Sequence, residues 1–489
     1  MDTTRLKRKT FPATALVNLM LCIGLFLIVC GLLTDKPLLA LGAICAPLCL
    51  FIVGYGFVKP RFIFFLYITY AYFFVCVMRY FQISKLSFGL DILLIYMVCA
   101  LILSVLNRKK EFEISQTVNG LTFFYSIWVL YILIQILNPG TEEFGITHAF
   151  RILIFCNLAI YISLSLLLNT PKVLHYFLMC WGCFTIIAFI KLMYQKYVGF
   201  DLGERIFLHQ GGERTHILVT GIRYFSIFTD AGNFGPHMGA VAVIYSIACI
   251  YIKNNWLKIF FAVVAIMGLI GMFLSGTRSA IAVPFGGLVL YCLLCKNIKI
   301  FTSVAVIGLL SFSFLAFTNI GDSNRFIHRM RTAMQPKEDA SFNTRLTNRE
   351  MISEHMKDKP WGIGIEKSIP MLWSKPDGSY REGILPPDSY FVDIWIQYGI
   401  IGLIIHIIMY SGILLWGSYL VLFRLNNFYL RQILAIFLGA VLGFLINGYA
   451  GQCIEQPPTN IFIYSLLAFV MNGPYIDKQL SKENNNYIL

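Results

Sequence analysis

The chain has 489 residues, 58% of them hydrophobic and only 13% charged, with a net charge of +14. Soluble domains carry about 25% charged residues, so a globular chain with a single anchor is excluded and a polytopic membrane protein is expected. The basic excess sits largely in short turns between apolar runs, so it does not argue for nucleic-acid binding.

About 20 apolar residues cross a bilayer as a helix. In chain order the expected spans cover about 11–33, 38–58, 62–81, 88–106, 119–137, 146–168, 173–195, 235–252, 257–275, 280–295, 298–318, 400–422, 431–450 and the short 459–473. The first run is too long for a signal-peptide core and lacks a small-residue cleavage site, so it is expected to be retained. The fold class is all-α, a polytopic helical membrane protein of about 12–14 spans. Residues 1–195 form N-terminal transmembrane helices, 196–234 a first large outer loop, and 235–318 further spans with a turn at Ser275–Arg278. Residues 319–399 form a second large outer loop, and 400–489 the last spans and a tail.

Orientation follows from the short turns. With Arg5, Lys7, Arg8 and Lys9 in the cytoplasm, alternate turns carry Lys59 and Arg61, Arg108 to Lys110, Lys172, Lys253 and Lys258, Lys296 and Lys299, and Arg424 and Arg431 on the same side. That satisfies the positive-inside rule. It leaves both large loops and the Ser275–Arg278 turn on the outer side. Within the second loop, 323–359 reads as helical, with a cap region near Ser341 and Asn343 and a stop at Pro360, Gly362 and Gly364. Residues 388–398 read as a short amphipathic helix at the membrane surface, with Tyr390, Trp395 and Tyr398 in the headgroup zone.

Outer loops are normally poor in basic residues, yet these hold Arg205, Arg214, Arg223, Arg325, Arg329, Arg331, Arg345, Arg349 and Arg381. Arginine pairs with phosphate through a bidentate fork. Several converging on Arg278 at the membrane boundary would suit a lipid diphosphate; scattered, they would only touch headgroups. Asp388 opens the interfacial helix, where it serves either as an N-cap or as a general base. His209, His216, His237, His328 and His355 match no metal spacing. No metal-binding D-x-D, P-loop, nucleotide fingerprint or G-x-S-x-G is present, so no cofactor is expected. All but Cys453 of the 13 cysteines fall in apolar runs, including the C-x-x-C pairs Cys180/Cys183 and Cys292/Cys295, and read as packing residues. Asp91, Arg151 and Lys191 lie in spans and have no partner by pattern.

Four stretches resemble the bacterial O-antigen ligase/polymerase superfamily. LSGTRSA (274–280) is similar to its L-S-G-S-R-x-A. The segment 345–365, RLTNREMISEHMKDKPWGIGI, resembles its arginine-led motif ending in P-x-x-G-x-G, with Arg349 at the usual tryptophan. DSYFVDIWIQYGIIG (388–402) resembles a histidine-led motif, with Gly399 and Gly402 in register and Asp388 at the histidine. RYFSIFTDAGNFG (223–235) is a looser match. The resemblance implies a GT-C-like glycosyltransferase of the bacterial inner membrane that acts on its periplasmic face. The donor would be a glycan on undecaprenyl diphosphate, transferred with inversion and without a metal. Arg278 and Arg345 would bind the diphosphate, helped by Arg223, and Asp388 would stand as base; beside these matches Arg349, Ser275 and Arg214 are expected as further substrate-binding residues. An isolated aspartate (pKa about 3.9) is a weaker base than histidine (about 6.5). That departure favours an O-antigen or capsule polymerase over a ligase acting on lipid A–core or a protein O-oligosaccharyltransferase. Membrane lipid and polysaccharide-assembly proteins are the expected partners. A non-enzymatic transporter of lipid-linked glycans is the contrasting class; it would want charged residues near the membrane midplane.

Overall fold

The computed structural model describes residues 51–107, 112–218, 221–318, 320, 331, 340–374 and 380–482. The expected span 11–33, most of 38–58, the basic residues 5–9 and 108–110, and Arg325, His328 and Arg329 lie outside them. The described chain is almost wholly helical. Eight of its helices are long and apolar enough to cross a membrane. In order the main helices are α1 (Pro60–Phe81), α2 (Phe88–Leu106), α3 (Gly120–Gln135), α4 (Glu143–Leu167), α5 (Pro171–Tyr197), α6 (Ala231–Tyr251), α7 (Asn255–Leu274), α8 (Arg278–Leu294) and α9 (Ile298–Phe317). There follow α10 (Ala340–Met356), α11 (Tyr390–Tyr419), α12 (Phe428–Asn447), α13 (Thr459–Met471) and α14 (Gly473–Lys482). Two short antiparallel hairpins complete the described fold, Ile217–Leu218 with Gly221–Ile222 and Pro370–Ser374 with Tyr380–Ile384.

Without a hydrophobic drive between helices in lipid, close backbone approach at small residues holds such bundles together. Here α8 and α12 meet through glycine faces. A Cβ at Gly439 would lie 2.4 Å from the Gly287 carbonyl oxygen, and one at Gly443 2.3 Å from that of Val283. Helices α6 and α12 form the centre of the bundle and are buried along most of their length. His237 on α6 is a core residue: its Nε2 accepts from Trp181 Nε1 at 2.9 Å, and its Nδ1 lies 3.1 Å from Thr459 Oγ1.

The charges inside spans are paired, contrary to the pattern-based expectation. Arg151 Nε donates to Asp91 at 3.0 Å. Lys191 meets Asp201 Oδ2 at 2.5 Å and Glu204 Oε1 at 3.0 Å. Asp201 and Glu204 form a capping box at the start of the 202–207 turn, so Lys191 staples the first large loop to α5. Arg79, the last buried residue of α1, reaches the same loop. It donates to Ser226 O at 3.2 Å and Phe228 O at 2.5 Å, and lies over the Phe225 ring at 4.6 Å. These bonds fix the path of 223–230, the segment that leads into α6.

The second loop departs from expectation in three places. The described helix here is Ala340–Met356, so Ser341 and Asn343 lie inside it instead of capping it. The 388–398 stretch is the first part of α11, joined to the remainder through Gly399 (φ +71°, ψ −177°). Tyr390 and Tyr398 are each 3% exposed, so these rings face the protein core and not the headgroups. The reason is a backbone contact. Ile363 N donates to Ile396 O at 2.9 Å and Gly364 N to Gln397 O at 3.2 Å, laying the 361–364 segment along α11. A Cβ on Gly399 would sit 2.0 Å from the Pro360 carbonyl oxygen. We expect Gly399→Ala to lower the thermal midpoint in detergent by the equivalent of about 1–3 kcal/mol, the usual cost of a strained backbone conformation. An unchanged midpoint would show that this docking is not needed.

Candidate functional site

The Ser275–Arg278 turn is built by short-range bonds. Gly276 adopts φ +59°, a region that favours glycine. Ser275 caps α7 and is fully buried; its hydroxyl donates to Met272 O at 2.7 Å and accepts from Thr277 N at 3.1 Å. Both of its bonds stay within the turn, so Ser275 shapes the site instead of facing a ligand. Thr277 Oγ1 donates to Ala231 O at 2.6 Å and accepts from Arg223 Nη2 at 2.9 Å. One hydroxyl thus ties together the turn, the first residue of α6 and the Arg223 side chain. Arg278 follows at the start of α8 and is half-buried.

Arg223 is also fixed through Nη1, which donates to Thr215 O at 3.0 Å. Its Nε is buried with no hydrogen-bond partner among the described residues. Burial lowers its proton affinity, and the charges of Arg278 and Arg345 lower it further against the opposing pull of Asp230. A guanidinium starts so far above neutrality that it stays charged all the same. The structure therefore brings Arg278 and Arg345 within electrostatic reach of Arg223 at one end of the bundle.

Arg345 comes from α10. Positions 345, 348, 349, 352 and 356 share one helical face. The lower part of that face is apolar: Ile352 and Met356 pack on Ile369, Leu385 and Ile396. The upper part is polar and grips two other segments. Asn348 Nδ2 donates to Asp388 Oδ2 at 2.5 Å. Arg349 donates to Tyr449 O at 2.8 Å and lies over the Tyr449 ring at 4.1 Å. Arg349 is thus committed to the 448–458 loop between α12 and α13, and the contacts give it a tethering role.

Asp388 is half-buried with φ +52°. It is not the N-cap of α11. That position is Ser389, whose hydroxyl donates to Gly448 O at 3.1 Å, while Tyr390 N donates to the Gly448 and Gly451 carbonyls. The carboxylate is left to Asn348 and the site.

Arg214 is exposed on the 213–216 turn and has no hydrogen bond or ion pair among the described residues, so nothing draws it to the cluster. Arg205 is exposed and bonds Phe200 O at 2.7 Å. Arg331 is buried and bonds Ile320 O at 3.1 Å. His216 is buried; its Nδ1 lies 2.8 Å from Gly212 O, and its Nε2 accepts from Ala231 N at 3.2 Å. His209 is exposed, and His355 meets Lys359 Nζ at 2.8 Å. Among the described residues no three of His, Cys, Asp and Glu form a metal-holding group.

The comparisons with known proteins bear on this same region. A family model described as O-antigen ligase matches residues 262–407, which hold the turn, α10 and Asp388. An O-antigen polymerase of Salmonella muenchen is 25% identical over 417 residues, covering 78% of this chain and 94% of the relative. Over most of its length the chain is thus similar to proteins of the O-antigen ligase/polymerase superfamily. Its function is accordingly of the polymerase or ligase type, exercised by a multi-pass bacterial membrane protein. Within the matched segment and its neighbours the residues divide by structural role. Arg278 and Arg345 present charge, whereas Ser275 and Gly399 shape the backbone that presents it.

Sequence reading named the arginines but missed Thr277, Asn348, Tyr449 and Glu455. Asn348 was findable, since it lies three residues from Arg345 and so on the same face. Tyr449 and Glu455 occupy a polar loop next to Asp388 that no periodicity marks. Thr277→Val, close in shape but without the hydroxyl, leaves the Ala231 carbonyl and one Arg223 N–H without a partner. Denaturation in detergent should read a loss of about 1–3 kcal/mol; wild-type stability would mean that the hydroxyl does not hold the turn.

Proposed function

We propose that the chain is a polymerase of O-antigen or capsule repeat units that works from undecaprenyl diphosphate on the periplasmic face of the inner membrane. The observation that carries this is the approach of Arg223, Arg278 and Arg345 beside the Ser275–Arg278 turn. The positive-inside pattern of the sequence supports a periplasmic position for that end of the bundle. Guanidinium forks fit phosphate oxygens and gain strength as charge builds on a leaving diphosphate.

The acceptor hydroxyl attacks the anomeric carbon from the side opposite the diphosphate, which inverts the centre. The bond to the diphosphate breaks, and its electron pair leaves with the phosphate under the arginines. Fixed guanidinium groups take the place of a divalent cation. A carboxylate on the same face receives the hydroxyl proton, and Asp388 stands where the family carries its proposed base.

The polymerase reading is preferred because the relative named as a polymerase aligns over 94% of its own length. The ligase reading draws on the family model, whose description is O-antigen ligase. Product analysis separates them: polymerised lipid-linked repeats in one case, glycan on lipid A–core in the other. The transporter reading loses its motive, because the in-span charges Arg151 and Lys191 have structural partners.

Arg278→Ala and Arg345→Ala should each weaken binding of undecaprenyl diphosphate by about 10- to 150-fold, the worth of a charged hydrogen bond of roughly 1.5–3 kcal/mol. Lysine at either position should recover part of the loss. Wild-type affinity in both alanine variants would remove the diphosphate site. Transfer should also survive EDTA; loss of turnover that Mg²⁺ restores would contradict charge neutralisation by arginine.

A further inference from the structure

The 448–458 loop carries a carboxylate that neither the sequence motifs nor the arginine cluster employs. Glu455 Oε1 accepts from Tyr390 Oη at 3.3 Å, and the same phenol oxygen lies 2.7 Å from His406 Nε2. Tyr390 has one hydrogen to give. If it points to the carboxylate, His406 Nε2 must carry the hydrogen that meets the phenol oxygen. His406 Nδ1 is then a bare acceptor, and it is buried without a partner among the described residues; the residue as a whole is 3% exposed. In that arrangement His406, Tyr390 and Glu455 form a chain whose donors run toward the carboxylate. The second oxygen, Oε2, makes no hydrogen bond among the described residues.

The position of Glu455 is as telling as its partners. The loop is tied to the Arg223 side through Thr229 Oγ1 to Gln456 Oε1 at 3.2 Å and Asn233 Nδ2 to Pro457 O at 2.9 Å. On its other side it receives Ser389 and Arg349. Glu455 thus belongs to a segment held between the 229–233 stretch, which follows Arg223, and the 389–390 stretch, which follows Asp388. The side chain is exposed to water, yet protein surrounds it closely enough for burial to push its pKa up to about 7. The like charges of Asp393 on α11 and of Glu366 add to the rise, and the Tyr390 bond works against it. The phenols of Tyr398 and Tyr410 on α11, Tyr125 on α3 and Tyr464 on α13 also lie within its field. A carboxyl that titrates near the working pH suits proton transfer.

We propose that Glu455 is the proton-accepting carboxylate of the transfer, an inference that rests on the reading of a sugar moving from a lipid diphosphate to a hydroxyl. As the acceptor oxygen bonds to the anomeric carbon and the carbon–phosphate-oxygen bond breaks, the electron pair leaves on the diphosphate. The hydroxyl hydrogen passes to Oε2 of Glu455. Asp388, held by Asn348, is then a positioning residue that keeps α10, and with it Arg345, against the site.

The test uses the full chain in lipid nanodiscs, with lipid-linked glycan extracted from its own bacterium as substrate and undecaprenyl diphosphate as binding probe. The wild-type rate should rise about tenfold per pH unit in acid and level above about 7, as the carboxylate form is populated. Glu455→Gln should lower kcat by about a hundredfold or more and erase this limb, with probe affinity within about twofold of wild type. Glu455→Asp should recover part of both, which guards against a folding artefact. Tyr390→Phe, by removing the bond that favours ionisation, should move the limb to higher pH. Asp388→Asn should keep the limb and lose less than about tenfold in kcat. A Glu455→Gln chain with wild-type rate and limb, or an Asp388→Asn chain without the limb, overturns the proposal and leaves the donor reading standing. Failure of the wild type to bind the probe removes the donor reading, and this inference with it.

Discussion

The Arg223 guanidinium, clamped between the Thr215 carbonyl and the Thr277 hydroxyl, is the contact on which the rest of the site depends. Both acceptors are neutral. They fix the group in space without cancelling its charge, which a carboxylate partner would do. The same Thr277 hydroxyl closes the turn that delivers Arg278 and bonds the first residue of α6. Two charges from segments some fifty residues apart in sequence are thereby held by one oxygen. The protein's own bonds thus hold this centre in place. Such preorganisation is what makes charged groups effective on a developing anion.

The third charge reaches the site by packing. Helix α10 has an apolar lower face that rests on Ile369, Leu385 and Ile396, while its upper face bears Arg345, Asn348 and Arg349. Its position is set by the backbone seam between 361–364 and α11, which only glycine at 399 permits. Arginine placement in this loop is thus a consequence of backbone geometry well away from the charge. The 448–458 loop closes the arrangement by receiving Arg349, Ser389 and Asn233, so four separate chain segments meet around one small polar volume.

Much of this was legible in the sequence. Hydropathy alone placed each described span to within a few residues, because a bilayer demands about 20 apolar residues and little else. The arginines stood out because loops on that side should lack them. What could not be read was the function of each arginine. Arg79 looked like the end of a span and proved to anchor the 223–230 segment; Arg349 looked like a phosphate ligand and proved to grip Tyr449. Pairings such as Lys191 with Asp201 and Glu204 depend on how a loop folds back on its helix, which no periodicity encodes. Of the two roles open for Asp388, the cap falls to Ser389 for a local reason, the left-handed backbone at 388. Glu455 escaped notice because a single acid in a polar loop carries no pattern until its neighbours are known.

The central claim is that guanidinium groups from three segments form one diphosphate site. The most direct measurement is a cryo-EM structure of the chain in nanodiscs with undecaprenyl diphosphate bound. The account predicts phosphate oxygens within hydrogen-bonding distance of Arg278 and Arg345, and the prenyl chain entering between helices beside the Ser275–Arg278 turn. A headgroup bound at the opposite end of the bundle, or one that leaves both arginines without contact, would contradict it.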